Sequence, residues 1–175
     1  QYVVRNILGI EYGGETLADE ANAHWLQTSA KNRAENVMIT DMVRNDLARL
    51  SSTGKVSVDE LFGVERYPSV WQMTSTVKTE VSASIADIFT ALFPAASITG
   101  APKHAAVDVI DGLEDSPREL YTGALGIIQP SGFASYNVAI RTARSDSCSG
   151  KSRFGVGCGI VWVSEPSGEL EELQT

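Results

Sequence analysis

Two acidic groups stand far apart in this chain, and both carry the residue type that holds a hard cation. Glu35 lies in the run Lys31-Asn-Arg-Ala-Glu-Asn-Val-Met-Ile39, and the knot Glu169-Leu-Glu-Glu172 lies 134 residues further on (169 − 35). Magnesium is bound by a few carboxylates, with water and substrate oxygens completing its shell. The two clusters therefore read as the two jaws of a magnesium site. Between them, Ser97-Ile-Thr-Gly-Ala-Pro-Lys103 is a small-residue loop that runs into a helix. Such a loop presents backbone N–H groups to an anion. A cation site together with an anion cradle points to a small carboxylated substrate.

Composition bounds what else the chain can be. Its 175 residues, 43% hydrophobic and 21% charged, suffice for one buried core. A net charge of −8, from 22 acidic and 14 basic residues, comes with no block of Lys or Arg able to neutralise a phosphate backbone. Nucleic acid and anionic membrane are therefore not expected partners. No apolar run has the length of a transmembrane helix, and Gln1-Tyr-Val-Val-Arg5 does not open a signal sequence, so a cytoplasmic location is expected. Cys148 and Cys158 form no CxxC pair and read as reduced thiols without a metal role.

The elements that must position these groups follow from periodicity. Residues 1–10 read as a strand end, and a helical stretch begins near Asp19. Val37, Met38, Ile39, Met42, Val43, Leu47 and Leu50 recur at helical spacing, with Arg44, Asn45, Asp46 and Arg49 as the polar positions between them. Lys55–Val58 reads as a short strand. In the strand Val70–Val77, the face with Gln72, Thr74 and Thr76 is polar enough to line a site. A short helix, Ile85–Phe93, is closed by Pro94, and Pro102 falls in the first turn of the next. Three strands follow, Tyr121–Ile128, Ser135–Thr142 and Phe154–Val163, the first two joined by a turn at Pro130-Ser-Gly132; Asp146–Ser152 is a polar, mobile loop. Gly155, Gly157 and Gly159 alternate along the last strand, leaving one face as bare backbone on which a ligand could lie or against which another element could pack. Their spacing is not that of a dinucleotide fingerprint. Helices followed by an antiparallel meander give an α+β fold, with antiparallel sheets flanked by helices.

Ala34-Glu-Asn-Val-Met-Ile39, Arg44-Asn-Asp-Leu47, Ser97-Ile-Thr-Gly-Ala-Pro-Lys103 and Asn137-Val-Ala-Ile-Arg-Thr142 together resemble the chorismate-utilising enzymes, over nearly the whole chain. Phe93-Pro-Ala-Ala-Ser-Ile-Thr99, Val64–Thr76 and Gly157-Cys-Gly-Ile-Val-Trp162 look most like the branch that makes 4-amino-4-deoxychorismate, including forms fused to a lyase. The resemblance implies that residues 1–175 are the C-terminal part of an anthranilate synthase component I-like domain. Upstream strands, a general-acid Glu and the end of the domain would lie outside it, and the chain alone is expected to be inactive. The implied activity is Mg2+-dependent amination of chorismate for p-aminobenzoate and folate synthesis, with ammonia from a glutamine amidotransferase subunit. The alternatives are anthranilate synthesis and a catalytically silent chorismate-binding relative.

Residue by residue, the resemblance makes Glu35 and Glu172 the metal ligands, with Glu169 one turn away on the same helical face. On their own, Glu169 and Glu172 would read as a solvated surface pair. Arg141 would bind the enolpyruvyl carboxylate through two parallel hydrogen bonds, its alternative being a surface ion pair. Tyr121 would share that carboxylate or be a structural tyrosine. Gly100 and Ala101 would offer N–H groups, Gly159 would let the ring carboxylate approach, and Ser97 and Thr99 are hydroxyl candidates. Lys103 is either electrostatic support or a helix-surface lysine. Gln72 stands where other members have His, and Asn32 where some have another acid. His24 and His104 match no catalytic position. Leu8 falls where the branch carries its nucleophilic Lys, so the catalytic residues are unknown.

Overall fold

The computed structural model describes residues 2–12, 17–68, 70–160, 162 and 164–174, with side chains from residue 20 onward except Glu172 and Gln174. The chain forms two compact units, residues 1–104 and 105–175.

The first unit is built on an antiparallel sheet of β1 (Tyr2–Tyr12), β2 (Ser51–Arg66) and β3 (Val70–Val81), in the order β1-β3-β2. α1 (Leu17–Thr28) and α2 (Ala30–Leu50) pack on this sheet. Ser29 caps α2, its side chain accepting the Asn32 N–H at 3.4 Å. The buried stripe of α2 is Asn36, Ile39, Thr40, Val43, Asp46 and Leu47, a spacing of three and four that keeps one face on the sheet. Ile39, Val43 and Leu47 form the core with Val77 of β3 and with Ala96. Asp46 thus belongs to the buried stripe rather than to the exposed polar face.

Half of that interface is polar. Asn36 is fully buried, and its Oδ1 accepts hydrogen bonds from Ser75 Oγ at 2.5 Å and Thr40 Oγ1 at 3.3 Å. Ser75 Oγ in turn accepts the N–H of Phe62 at 3.2 Å. One bonded column therefore runs from α2 through β3 to β2. Among the described residues, Asn36 Nδ2 is the buried side-chain polar atom with no partner.

β2 is far longer than the expected strand at Lys55–Val58, because pairing with β3 overrides an unpatterned sequence. Its ladder shifts register between Ser51 and Val56, Val58 and Glu60, and Glu60 and Gly63, and β3 side chains bridge the gaps: Thr79 Oγ1 donates to the Lys55 carbonyl at 2.7 Å. The polar face expected to line a site is largely internal. Thr74 is fully buried, and its hydroxyl lies within hydrogen-bonding distance of Gly63 O (3.4 Å) and Glu65 Oε1 (3.3 Å) on β2. α3 (Ile85–Leu92) opens on a capping box between Ser84 and Asp87 and ends before Phe93-Pro94, as expected. Those Ser84 hydrogen bonds hold the Asp87 carboxyl below its ordinary pKa. The short turn α4 (Ala96–Thr99) follows, and α5 (Lys103–Leu113) begins one residue after Pro102.

The second unit holds two hairpins, β4 (Ala124–Ile128) with β5 (Ala134–Val138) and β6 (Ala143–Ser145) with β7 (Ser152–Phe154), followed by α6 (Pro166–Gln174). The turn at Pro130-Ser-Gly132 is present, with Gly132 at φ 86 and the Gln129 N–H bonded to the Phe133 carbonyl at 2.8 Å. Three expected strands are shorter than their apolar patterns. Tyr121 and Thr122 form a turn ahead of β4, residues 139–142 leave the ladder after β5, and residues 155–160 carry no regular structure. Loop 146–151 is not loose: Asp146 accepts from Cys148 N and Ser149 Oγ, and its own N–H donates to the Lys151 carbonyl. That bonding to Ser149 and Cys148 lowers the Asp146 pKa.

Removing Leu47, a fully buried core side chain, as Leu47→Ala is expected to cost about 2–5 kcal/mol through cavity formation. Ser75→Ala strips an acceptor from Phe62 N–H and a donor from Asn36, at an expected cost of about 1–3 kcal/mol. Urea unfolding of the chain measures both, and a wild-type midpoint for Ser75→Ala would show that the polar column contributes nothing.

Candidate functional site

The expected anion cradle lies in the first unit. Ala95 stands ahead of α4 in extended conformation, and Ala96, 3% exposed, anchors the turn in the α2 core. The Gly100 N–H donates to the Ala96 carbonyl at 3.2 Å, which closes the turn, and Gly100 then adopts φ 99, a conformation only glycine enters freely. The hydrogen-bonding capacity of that amide is thus committed within the turn. Ser97 and Ala101 are exposed, Thr99 is half-buried, and Thr99 Oγ1 reaches the Ala95 carbonyl at 3.5 Å.

Lys103 is not a surface lysine. Its Nζ donates to Asp46 Oδ2 at 2.6 Å, with the two side chains only 14% and 8% exposed, and Arg49 donates to the other oxygen, Oδ1. Asp46 is a residue whose role sequence patterning missed. The signal was available, since Asp46 follows Val43 by three residues and Ile39 by seven, on the same stripe.

Glu35 is half-buried on α2. Glu169 is half-buried in the first turn of α6, its N–H bonded to the Glu165 carbonyl at 3.1 Å. Glu172 lies on α6 three residues on, and its side chain falls outside the described residues. Among the described residues no cluster of three His, Cys, Asp or Glu side chains forms. Oxygen-only carboxylate donors of this kind suit Mg2+, which keeps several of its waters. Leu8 lies in β1, and its side chain is likewise outside the described residues.

In the second unit the geometry centres on Tyr121. An added Cβ at Gly155 would collide with its ring and one at Gly157 with its hydroxyl, whereas Gly159 faces open space. The bare backbone is therefore covered by Tyr121 along its first half and open only at Gly159. Burial raises the Tyr121 pKa above its ordinary value, the nearby Arg118 opposing that shift. Arg118 lies over the ring at 5.9 Å and forks onto Glu114 with bonds of 2.6 to 3.0 Å. The fork lowers the Glu114 pKa and raises that of Arg118. Tyr121, Arg118, Glu114, Thr142, Arg144 and Phe154 line a cavity of about 650 Å³, and Arg144 pairs with Glu119.

Arg141 is exposed and lies three residues past β5 at φ 50. Such a φ is uncommon for a residue with a Cβ. It is held by its neighbours: Ala139, 2% exposed, exchanges hydrogen bonds with Gly123 and Thr122, and Thr142 Oγ1 bonds the Ile140 carbonyl at 2.8 Å. The fold thus presents a guanidinium from a constrained turn, not from the strand end that patterning suggested. Neither cysteine forms a disulfide; Cys148 is exposed and Cys158 half-buried. No single helix among the described residues is long and apolar enough to cross a membrane.

Comparison with known proteins identifies the fold and the family. The chain is 40% identical over 163 residues to an aminodeoxychorismate synthase from Streptomyces griseus, which covers 91% of this chain and 22% of that protein. It is 38% identical over 177 residues to an anthranilate synthase component 1 from Haloferax volcanii, covering 98% of this chain and 34% of the relative. The chain therefore spans about a fifth to a third of the length of these relatives. A crystal structure of a 2,3-dihydroxybenzoate-specific isochorismate synthase from Bacillus anthracis superposes with a TM-score of 0.83 at 26% identity, over 98% of this chain and 46% of that one. The mixed arrangement of helices and antiparallel sheet is thus that of the chorismate-utilising enzymes. The family of chorismate binding enzymes matches residues 10–175, and this chain belongs to it.

Proposed function

We propose that the protein carrying this chain aminates chorismate to 4-amino-4-deoxychorismate. The observation that supports this most is the 40% identity over 91% of the chain to an aminodeoxychorismate synthase. In this reading, Arg141 grips the enolpyruvyl carboxylate with two parallel hydrogen bonds, and Tyr121, seated against the backbone of Gly155 and Gly157, would share that group. Ala101 offers the backbone N–H of the cradle, Gly100 turns the chain into it with its own N–H held by Ala96, the open face at Gly159 admits the ring carboxylate, and Ser97 and Thr99 supply hydroxyls. Glu35, Glu169 and Glu172 would hold Mg2+, which when bound neutralises the ring carboxylate. Ammonia would come from a glutamine amidotransferase partner, as a name ending in component 1 suggests for one of the relatives. The domain would extend beyond residues 1–175, and the cytoplasm is its natural location. Position 8 being Leu, no nucleophile is assigned.

The 38% identity to an anthranilate synthase component supports a second reading, in which nitrogen adds at C2 and pyruvate leaves. Product analysis of the whole protein with chorismate, Mg2+ and ammonium separates the two. The expected product is 4-amino-4-deoxychorismate with pyruvate retained; anthranilate with released pyruvate would establish the alternative.

Arg141→Lys is expected to keep the charge and the fold but weaken chorismate binding by about 1–3 kcal/mol, because an ammonium cannot reproduce the fork. Unchanged affinity by calorimetric titration would make Arg141 structural. Glu35→Gln is expected to raise the Mg2+ concentration needed for half-maximal activity while leaving the unfolding midpoint near that of the wild type. An unaltered Mg2+ dependence would exclude Glu35 from the metal site.

A further inference from the structure

The segment from Ala96 to Lys103 is fixed at both ends to one helix. At its start Ala96 packs into the core formed by Ile39, Val43 and Leu47 of α2. At its end Lys103 reaches Asp46 of α2 at 2.6 Å, in an ion pair largely shielded from water. Between these anchors lie Gly100, at positive φ, and Ala101. α2 also carries Glu35, eleven residues before Asp46. Eleven residues make about three helical turns, so Glu35 and Asp46 lie on nearly the same side of α2, about 16 Å apart along its axis. We infer that the Lys103–Asp46 pair is a positioning device: it sets the Ser97–Ala101 backbone against α2 and so fixes the carboxylate cradle relative to Glu35.

This role rests on the proposed chorismate site, and the surroundings of Asp46 make it separable from simple stability. Arg49, on the same helix, also donates to Asp46 and is 60% exposed. Losing Lys103 therefore leaves Asp46 neutralised, whereas losing Asp46 leaves Lys103 as a shielded charge without its counter-ion. Lys103→Met should fold, with the clamp released.

The test measures amide exchange and chorismate affinity in the presence of Mg2+ for the whole protein, wild type, Lys103→Met and Lys103→Arg. In Lys103→Met, exchange at residues 97–101 is expected to rise while the amides of β3 keep their protection. Chorismate affinity should fall on the order of 10- to 100-fold, the penalty of misplacing a binding group by about an ångström. Lys103→Arg, which keeps the charge, should recover most of both. Unchanged exchange at 97–101 in Lys103→Met would overturn the clamp. Raised exchange with undiminished affinity would overturn its positioning role. A wild-type protein that does not bind chorismate would instead remove the functional reading together with that role, while the exchange data would still report whether the clamp exists.

Discussion

The seating of α2 on β3 is the constraint on which the first unit depends, and it is set by polar groups as much as by apolar ones. Ile39, Val43, Leu47 and Val77 supply non-directional burial, which would tolerate small slides of helix against sheet. The Asn36–Ser75 hydrogen bond does not tolerate them, because a buried amide that slips loses a partner it cannot recover from water. Asp46 does the same at the other end of the helix. Its two oxygens are engaged by Arg49 and Lys103, which supply the partners that a carboxylate only 6% exposed has lost from water. Breaking such a pair by removing one partner costs more than the intact pair contributes.

The second unit solves a different problem with different means. Its hairpins are short and largely exposed, so the functional candidates are placed by turns and local pairs rather than by a core. Arg141, Thr122 and Glu119 all adopt positive φ, each next to a residue that hydrogen bonds or ion pairs hold in place. Tyr121 is seated between the glycine backbone at 155 and 157 and the Arg118 guanidinium, which is itself held by Glu114. Glycine here serves close approach, since any side chain at those positions would displace the ring. The folded-state pKa of Glu114 is lowered, so the support this pair gives Arg118 is present above the ordinary carboxylate pKa and is lost as pH falls through the folded value. At 38% side-chain exposure for Glu114, solvent screens much of that support.

The sequence by itself determined the longer helices, the fold class and the family. A helix is a local structure, and its apolar stripe and its terminating proline are written within one stretch of chain: the periodicity of α2 and the stop of α3 at Pro94 were legible for that reason. The cradle loop and the carboxylates at 35, 169 and 172 were legible as residue types at telling positions. Only the tertiary structure decided how far the strands run and which polar residues are internal. A strand ends where its partner ends, so β2 exceeded its apolar pattern while the stretches around Tyr121, Arg141 and Gly155 fell short of theirs. Asp46 read as a polar position between apolar ones and Thr74 as part of a face that could line a site, and pairing with residues 57 and 9 positions away in the chain made them interior. Helical spacing places Asp46 on the inner face of α2, but the partner that completes it, Lys103, arrives only through folding, and no local spacing names it.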